Sequence, residues 1–243
     1  MIKNKTSSGF TLIEVAIVLV IIGLLIGSLI VPLGSQRQTL HIKQARQELK
    51  MIEEAIIGYV IANDRLPCPA LAGSGSEDPD PWVGVCTSPR GFIPATTLGI
   101  SGRYNCDNLL IDPWGNPYRY SVTTANASAF TTSISAVTPL SALTPNLSIC
   151  SASGCADFLT QDAVAVIYSM GKHWNNIVSA DETENAEATL PGTGCGPANY
   201  NVSNDNRYVH RESVEIVGSE YDDIVIWISP NILYAKLLAA GQL

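Results

Sequence analysis

Basic side chains are scarce: 14 lysines and arginines stand against 22 acids in 243 residues, a net charge of −8. Contacts to a nucleic-acid backbone need clustered Lys and Arg, so this balance argues against nucleic acid as the default partner. Histidine is scarcer still, with three in the whole chain, at His41, His173 and His210. There is no CxxC and no HxxxH, which weakens zinc as the rival explanation of the cysteines. No GxSxG marks a nucleophile elbow. His173 (in MGKHW) and His210 (in YVHR) have serines and acids to draw on, but a chain this rich in serine offers such partners by chance. Gly192-Thr193-Gly194-Cys195-Gly196 lacks GxGxxG spacing and a preceding strand, and so reads as a loop rather than a phosphate cradle. No EF-hand spacing occurs. These absences leave an enzyme without a legible catalytic set.

What the chain does have is a long apolar run, GFTLIEVAIVLVIIGLLIGSLIVPL, from Gly9 to Leu33, with a single carboxylate, Glu14, near its start. A carboxylate in a membrane span costs several kcal/mol on insertion scales, so it implies a partner and a function. A secretory signal has an apolar region of about 7–15 residues and a small-residue cleavage site after it. This run is longer, and Gly34-Ser35-Gln36-Arg37 offers no A-x-A site. A plain single-span anchor fits the length of 15–33, close to the roughly 20 residues a bilayer needs, but leaves Glu14 and the Gly-Phe junction unexplained.

The short leader MIKNKTSSG, with Lys3 and Lys5 and no acid, then Gly9-Phe10-Thr11-Leu12-Ile13-Glu14 and the apolar run, resembles the processing site of type IV prepilins and type II secretion pseudopilins. The resemblance implies a cut after Gly9 by a prepilin peptidase and methylation of the new amine at Phe10. It implies that Glu14 sets filament register by pairing with the Phe10 amine of a neighbouring subunit. It further implies a helix that anchors in lipid of the bacterial inner membrane, passes once, and then joins a filament with other pilin or pseudopilin subunits through an inner-membrane assembly platform. The resemblance extends to Asp112-Pro113-Trp114-Gly115-Asn116-Pro117-Tyr118, to Gly91-Phe92-Ile93-Pro94 with Thr97-Leu98-Gly99, and to Asp222-Asp223-Ile224-Val225-Ile226-Trp227.

The expected organisation is a leader over 1–9, a transmembrane and filament-core helix over 10–33, its amphipathic continuation over 34–63, and a periplasmic pilin-like domain over 64–243. Gly23, Gly27 and Pro32 weaken the helix within the run. The resemblance suggests a stretch there that melts on assembly. Gly23 and Gly27 also form a small-xxx-small pair suited to close helix approach, although glycine is common in membrane helices. Past Pro32, Ala45, Leu49, Ile52, Ile56 and Tyr59 recur at helical spacing, with Glu48, Lys50, Glu53 and Glu54 off that stripe. Arg37, Lys43, Arg46 and Lys50 outnumber the leader lysines, so the positive-inside rule does not favour export; cysteine usage and the processing motif do.

Beyond Leu66 the texture turns to Pro, Gly, Ser, Thr and Asn with short β-prone runs at 118–123, 163–168 and 224–228, predicting strands. Residues 112–117 are the densest turn signal. The stretches 125–160 and 179–214 carry no clear pattern. Cys68, Cys86, Cys106, Cys150, Cys155 and Cys195 allow 15 pairings. Cys150 with Cys155 is the easiest local pair, and Cys68 with Cys86 closes a loop over 71–85 that holds Glu77, Asp78 and Asp80. Cys106 with Cys195 follows by elimination.

Two acidic clusters, Asp181, Glu182, Glu184 and Glu187, and then Glu220, Asp222 and Asp223, raise the question of a metal. The expectation is no cofactor; major secretion pseudopilins carry a calcium site in their C-terminal loops, so the resemblance raises Ca²⁺ at Glu220, Asp222 and Asp223 as the minor alternative. The competing readings are a solvated acidic loop, or turn and cap residues ahead of a strand. The sequence as a whole reads as α+β: a long N-terminal helix packed on an antiparallel sheet, with disulfide-stapled loops. The expected role is structural, a minor subunit by its size, not an enzyme. The alternative is an adhesin or binding module displayed on a pilin-type helix, with 121–144 as its exposed surface.

Overall fold

In the computed structural model, residues 9–79, 84–137 and 139–242 are described, with the backbone alone for 27–36. The leader residues 1–8 and Asp80 lie outside them. Contacts divide the chain into two compact units, Met1–His41 and Ile42–Leu243. Helix α1, Leu12–Asn63, contributes to both. In the first unit every described residue from 9 to 26 is exposed. Among the described residues, no helix is long and apolar enough to cross a membrane.

The second unit is built from the amphipathic part of α1. Ala45, Leu49, Ile52, Ile56 and Val60 are fully buried, at steps of four and three. The stripe thus closes on Val60 rather than on Tyr59, which stays half-buried and donates its hydroxyl to Glu77 Oε1 at 2.8 Å. The helix stops at Asp64, whose φ of +55° is left-handed. The Asp64 carboxylate then accepts from Ser133 Oγ at 2.7 Å and Ser135 Oγ at 2.6 Å, so the residue that ends the helix also pins a distant segment.

Among the described residues nine strands follow: β1 Arg90–Phe92, β2 Arg119–Val122, β3 Leu147–Cys150, β4 Phe158–Ala163, β5 Ala165–Ser169, β6 Ala188–Pro191, β7 Asn199–Val202, β8 Arg207–Val209 and β9 Ile224–Ile228. Between and after them lie the short helices α2 Ala95–Leu98, α3 Ala125–Thr132 and α4 Ala180–Glu184, and the terminal α5 Pro230–Ala239. The main sheet is antiparallel throughout, in the order β1-β2-β5-β9. The three strands predicted from sequence are its core. Strand β5 is buried at every position because both its faces are covered. Ala165 and Ile167 join the cluster that contains the α1 stripe, Leu233 and Leu237. Val166 and Tyr168 turn to a second cluster with Leu147, Ile149 and Tyr208. The fold is α+β, as the sequence implied.

The stretches without a legible pattern supply the rest. Strands β4-β3-β8 form a second sheet in which β3 and β8 run parallel, and β6 pairs with β7. The stretch 121–144, expected as an exposed surface, is partly core: Ser121, Thr123, Phe130, Thr131 and Ile134 are all buried. Its serines and threonines hid the apolar residues between them.

The six cysteines are bonded as Cys68–Cys86, Cys106–Cys195 and Cys150–Cys155. Inside the first loop, Glu77 is an anchor rather than a solvated acid. It receives both Arg65 guanidinium nitrogens at 2.8 Å and the Cys68 N–H at 3.1 Å. Burial pushes its carboxyl up, but these donors outweigh it and hold the group below the usual range.

Candidate functional site

Two places in the molecule carry more chemistry than packing requires. The first is the start of α1. Thr11 stands at the N-cap, and Glu14 three residues on closes a capping box. The Glu14 N–H donates to Thr11 Oγ1 at 3.3 Å, and the Thr11 N–H donates to Glu14 Oε2 at 3.4 Å. The Thr-x-x-Glu signature before an apolar run was legible, yet the sequence reading assigned Glu14 only an intermolecular role. Around it the surface is apolar and open: Phe10 is 84% exposed and Leu12 92%. An uninterrupted exposed apolar stretch of this kind marks an interaction surface. Gly9, the residue before the expected cut, is exposed as well.

The second place is the junction between the loop after β5 and the turn before β9. The Asp112–Tyr118 turn builds its floor. Asp112 Oδ1 accepts from the Trp114 and Asn116 N–H groups, both at 2.9 Å, and Gly115 takes a φ of +93° to complete the turn. The second oxygen of Asp112 accepts from Ser169 Oγ at 2.5 Å, at the end of β5. Burial raises the Asp112 carboxyl to about 6, against the pull of these donors. Asn116 Nδ2 donates to the Gly171 carbonyl at 2.7 Å, which fixes the next loop. Gly171 is itself required: its φ is +55°, and a Cβ there would run into Asp222.

On that floor the two acidic clusters of the sequence meet. Asn185, fully buried at the end of α4, is the bracket between them. Its amide donates to Asp223 Oδ2 at 2.7 Å and to the Val209 carbonyl at 3.1 Å, while its oxygen accepts the Val209 N–H at 2.9 Å. This seats Glu182 beside Asp222, whose N–H donates to Glu182 Oε1 at 3.2 Å. His173 comes in from the loop after β5, its Nδ1 3.1 Å from Asp222 Oδ2 and 3.9 Å from Glu182 Oε1. Burial raises Glu182 to about 7, with the Asp222 charge adding to it. Burial likewise raises Asp222, partly offset by His173. Asp223 is raised well above the carboxylate range by its complete burial.

Of the expected calcium set of Glu220, Asp222 and Asp223, two members have an oxygen engaged elsewhere. Asp223 is committed to Asn185, and Glu220 Oε2 accepts the Gly218 N–H at 2.7 Å. Asp181 accepts from Ser153 N–H at 2.7 Å and pairs with Arg211 at 2.8 Å, and Glu184 lies 3.3 Å from Arg207. Only Asp222 of the expected set stays in a ligand group. The group of three convergent donors among the described residues is His173, Glu182 and Asp222. The sequence does not reveal His173 and Glu182 as partners of Asp222, because nothing local links residues forty to fifty positions apart. His210 packs edge-on against Trp227, with ring centroids 5.5 Å apart, and burial lowers its basicity.

Residues 4–30 match the family described as Prokaryotic N-terminal methylation motif. Over 118 residues the chain is 32% identical to type II secretion system core protein G of Aeromonas hydrophila, a match that covers 48% of this chain and 74% of that protein. It is 28% identical over 125 residues to type II secretion system core protein G of Pseudomonas aeruginosa, covering 49% and 75% respectively. No solved structure matches.

Proposed function

This chain belongs to the type IV pilin-like and pseudopilin family, and on that premise we propose that it is a minor structural subunit of a type II secretion pseudopilus or type IV pilus-like filament. A prepilin peptidase would cut after Gly9 and methylate Phe10. The apolar run would hold the subunit in the inner membrane, with the disulfide-bonded domain in the periplasm, until the assembly platform adds it to other pilin or pseudopilin subunits. The role is structural, not catalytic.

The observation that carries this reading is the exposed apolar surface of the first unit, with Glu14 as the one carboxylate in it. In a filament that surface would be covered by neighbouring helices. Glu14 would leave its capping box to meet the Phe10 amine of the next subunit. A buried pair that loses one partner leaves an uncompensated charge, costing about 3–5 kcal/mol. Glu14→Ala is therefore expected to remain membrane-bound, to be cut after Gly9 as the wild type is, and to be absent from sheared filaments. Intact mass of the membrane fraction reads the cut and the added methyl group, and immunoblotting of the filament fraction reads assembly. Normal incorporation of Glu14→Ala, or a wild-type chain still starting at Met1 beside an active peptidase, would overturn the proposal.

A further inference from the structure

We propose that His173, Glu182 and Asp222 form a site for a divalent cation of the zinc class, one that prefers a nitrogen ligand with carboxylates to an all-oxygen shell. Three observations converge. The first is geometric. One donor atom from each residue lies within 4.8 Å of the other two. Ligands held tetrahedrally at zinc distances stand about 3.3–3.5 Å apart. The His173 Nδ1 to Asp222 Oδ2 separation of 3.1 Å and the His173 Nδ1 to Glu182 Oε1 separation of 3.9 Å bracket that spacing.

The second observation is the state of the donors. The Glu182 side chain is 2% exposed and that of Asp222 4%, so both carboxylates are all but removed from water. Each has one oxygen held by the backbone: Glu182 Oε1 takes the Asp222 N–H, and Asp222 Oδ2 takes the Lys172 N–H at 2.9 Å. The other oxygens, Glu182 Oε2 and Asp222 Oδ1, are buried without a hydrogen-bond partner, and His173 Nδ1 makes no hydrogen bond either. Buried polar atoms left this way cost about 1–3 kcal/mol apiece, more when charged. A cation held by Asp222 Oδ2, Glu182 Oε1 and His173 Nδ1 would satisfy the orphaned nitrogen and balance the charge of both buried carboxylates.

The third observation is the donor chemistry. Calcium takes six to eight oxygens in a roomy shell. Here the shell is small and one of its three side chains is an imidazole, which suits zinc and its transition-metal neighbours. Three protein ligands leave a fourth position open to water or to a group from outside. Gly171 and Asn116 supply the rigid support that such sites rely on, Gly171 by leaving room for Asp222 and Asn116 by holding the loop that carries His173.

The test uses the full chain, purified in detergent and stripped with chelator. Zn²⁺ is titrated calorimetrically, and Co²⁺ serves as a spectroscopic probe. The expected results are one Zn²⁺ per chain, a melting temperature raised by Zn²⁺ but not by equimolar Ca²⁺, and the visible absorption of four-coordinate Co²⁺. His173→Ala, on the one ligand that is partly exposed, should fold by circular dichroism, weaken Zn²⁺ at least about tenfold and abolish the Co²⁺ bands. Glu182→Gln should weaken Zn²⁺ similarly, and His41→Ala should leave it unchanged. Zn²⁺ affinity indifferent to His173→Ala, octahedral Co²⁺, or stabilisation by Ca²⁺ alone would each overturn the proposal. If Glu182→Gln does not fold, the wild-type Co²⁺ spectrum and His173→Ala still decide.

Discussion

Asp112 shows how one residue serves both a turn and a site. It holds the Trp114 and Asn116 N–H groups, takes the Ser169 hydroxyl, and through Asn116 fixes the loop that leads to His173. Its burial makes it a pH-sensitive element of stability. A carboxyl raised to about 6 in the fold, from 3.8 in the open chain, binds its proton more tightly when folded. Its contribution is therefore complete below pH 3.8 and is lost as the pH rises through about 6. Asp112→Asn keeps an acceptor for both N–H groups and cannot titrate. Thermal unfolding between pH 4 and pH 7 should show the wild type losing stability relative to Asp112→Asn, with the difference levelling off above about pH 7. A constant gap across that range would remove Asp112 from the account. Asp112→Ala, which removes the acceptor of the Trp114 and Asn116 N–H groups and of the Ser169 hydroxyl, should cost about 1–3 kcal/mol for each buried donor left unpaired.

Among the elements, α1 was the most legible, because a stripe at steps of three and four survives any tertiary context. Its one misreading, Tyr59 for Val60, arose because tyrosine can lie along a core while its hydroxyl reaches out, here to Glu77. Ile52 sits mid-stripe and is fully buried. Ile52→Ala should cost about 2–5 kcal/mol through the cavity it leaves, measured by denaturant unfolding of the full chain. Strand β5 was legible for the opposite reason: buried on both faces, it reads as a continuous apolar run. Strands β3, β4 and β8 were not, since β4 is mostly exposed and β8 is three residues long. The acidic junction was half legible. Its two clusters stood out by composition, but which acids meet depends on the docking of Asn185, and no local pattern encodes that. The disulfides fell between these cases, with the five-residue separation of Cys150 and Cys155 plain and the long pair reached only by elimination.

For the whole molecule, the covalent links are unequal. The chain-entropy model credits a loop of 89 residues with about 4–5 kcal/mol and one of 5 with about 2 kcal/mol. Replacing Cys106 and Cys195 with serine should thus destabilise the domain more than replacing Cys150 and Cys155, each pair compared by chemical denaturation. The reverse order would mean that the long bond strains the native state. The same bond has a mechanical consequence. A subunit held by its helix in a filament and loaded through its domain cannot pay out the chain between Cys106 and Cys195, whose 89-residue separation amounts to about 300 Å of extended backbone. Under tension only the chain outside that loop could extend, so the segment between the two cysteines would stay gathered behind the bond.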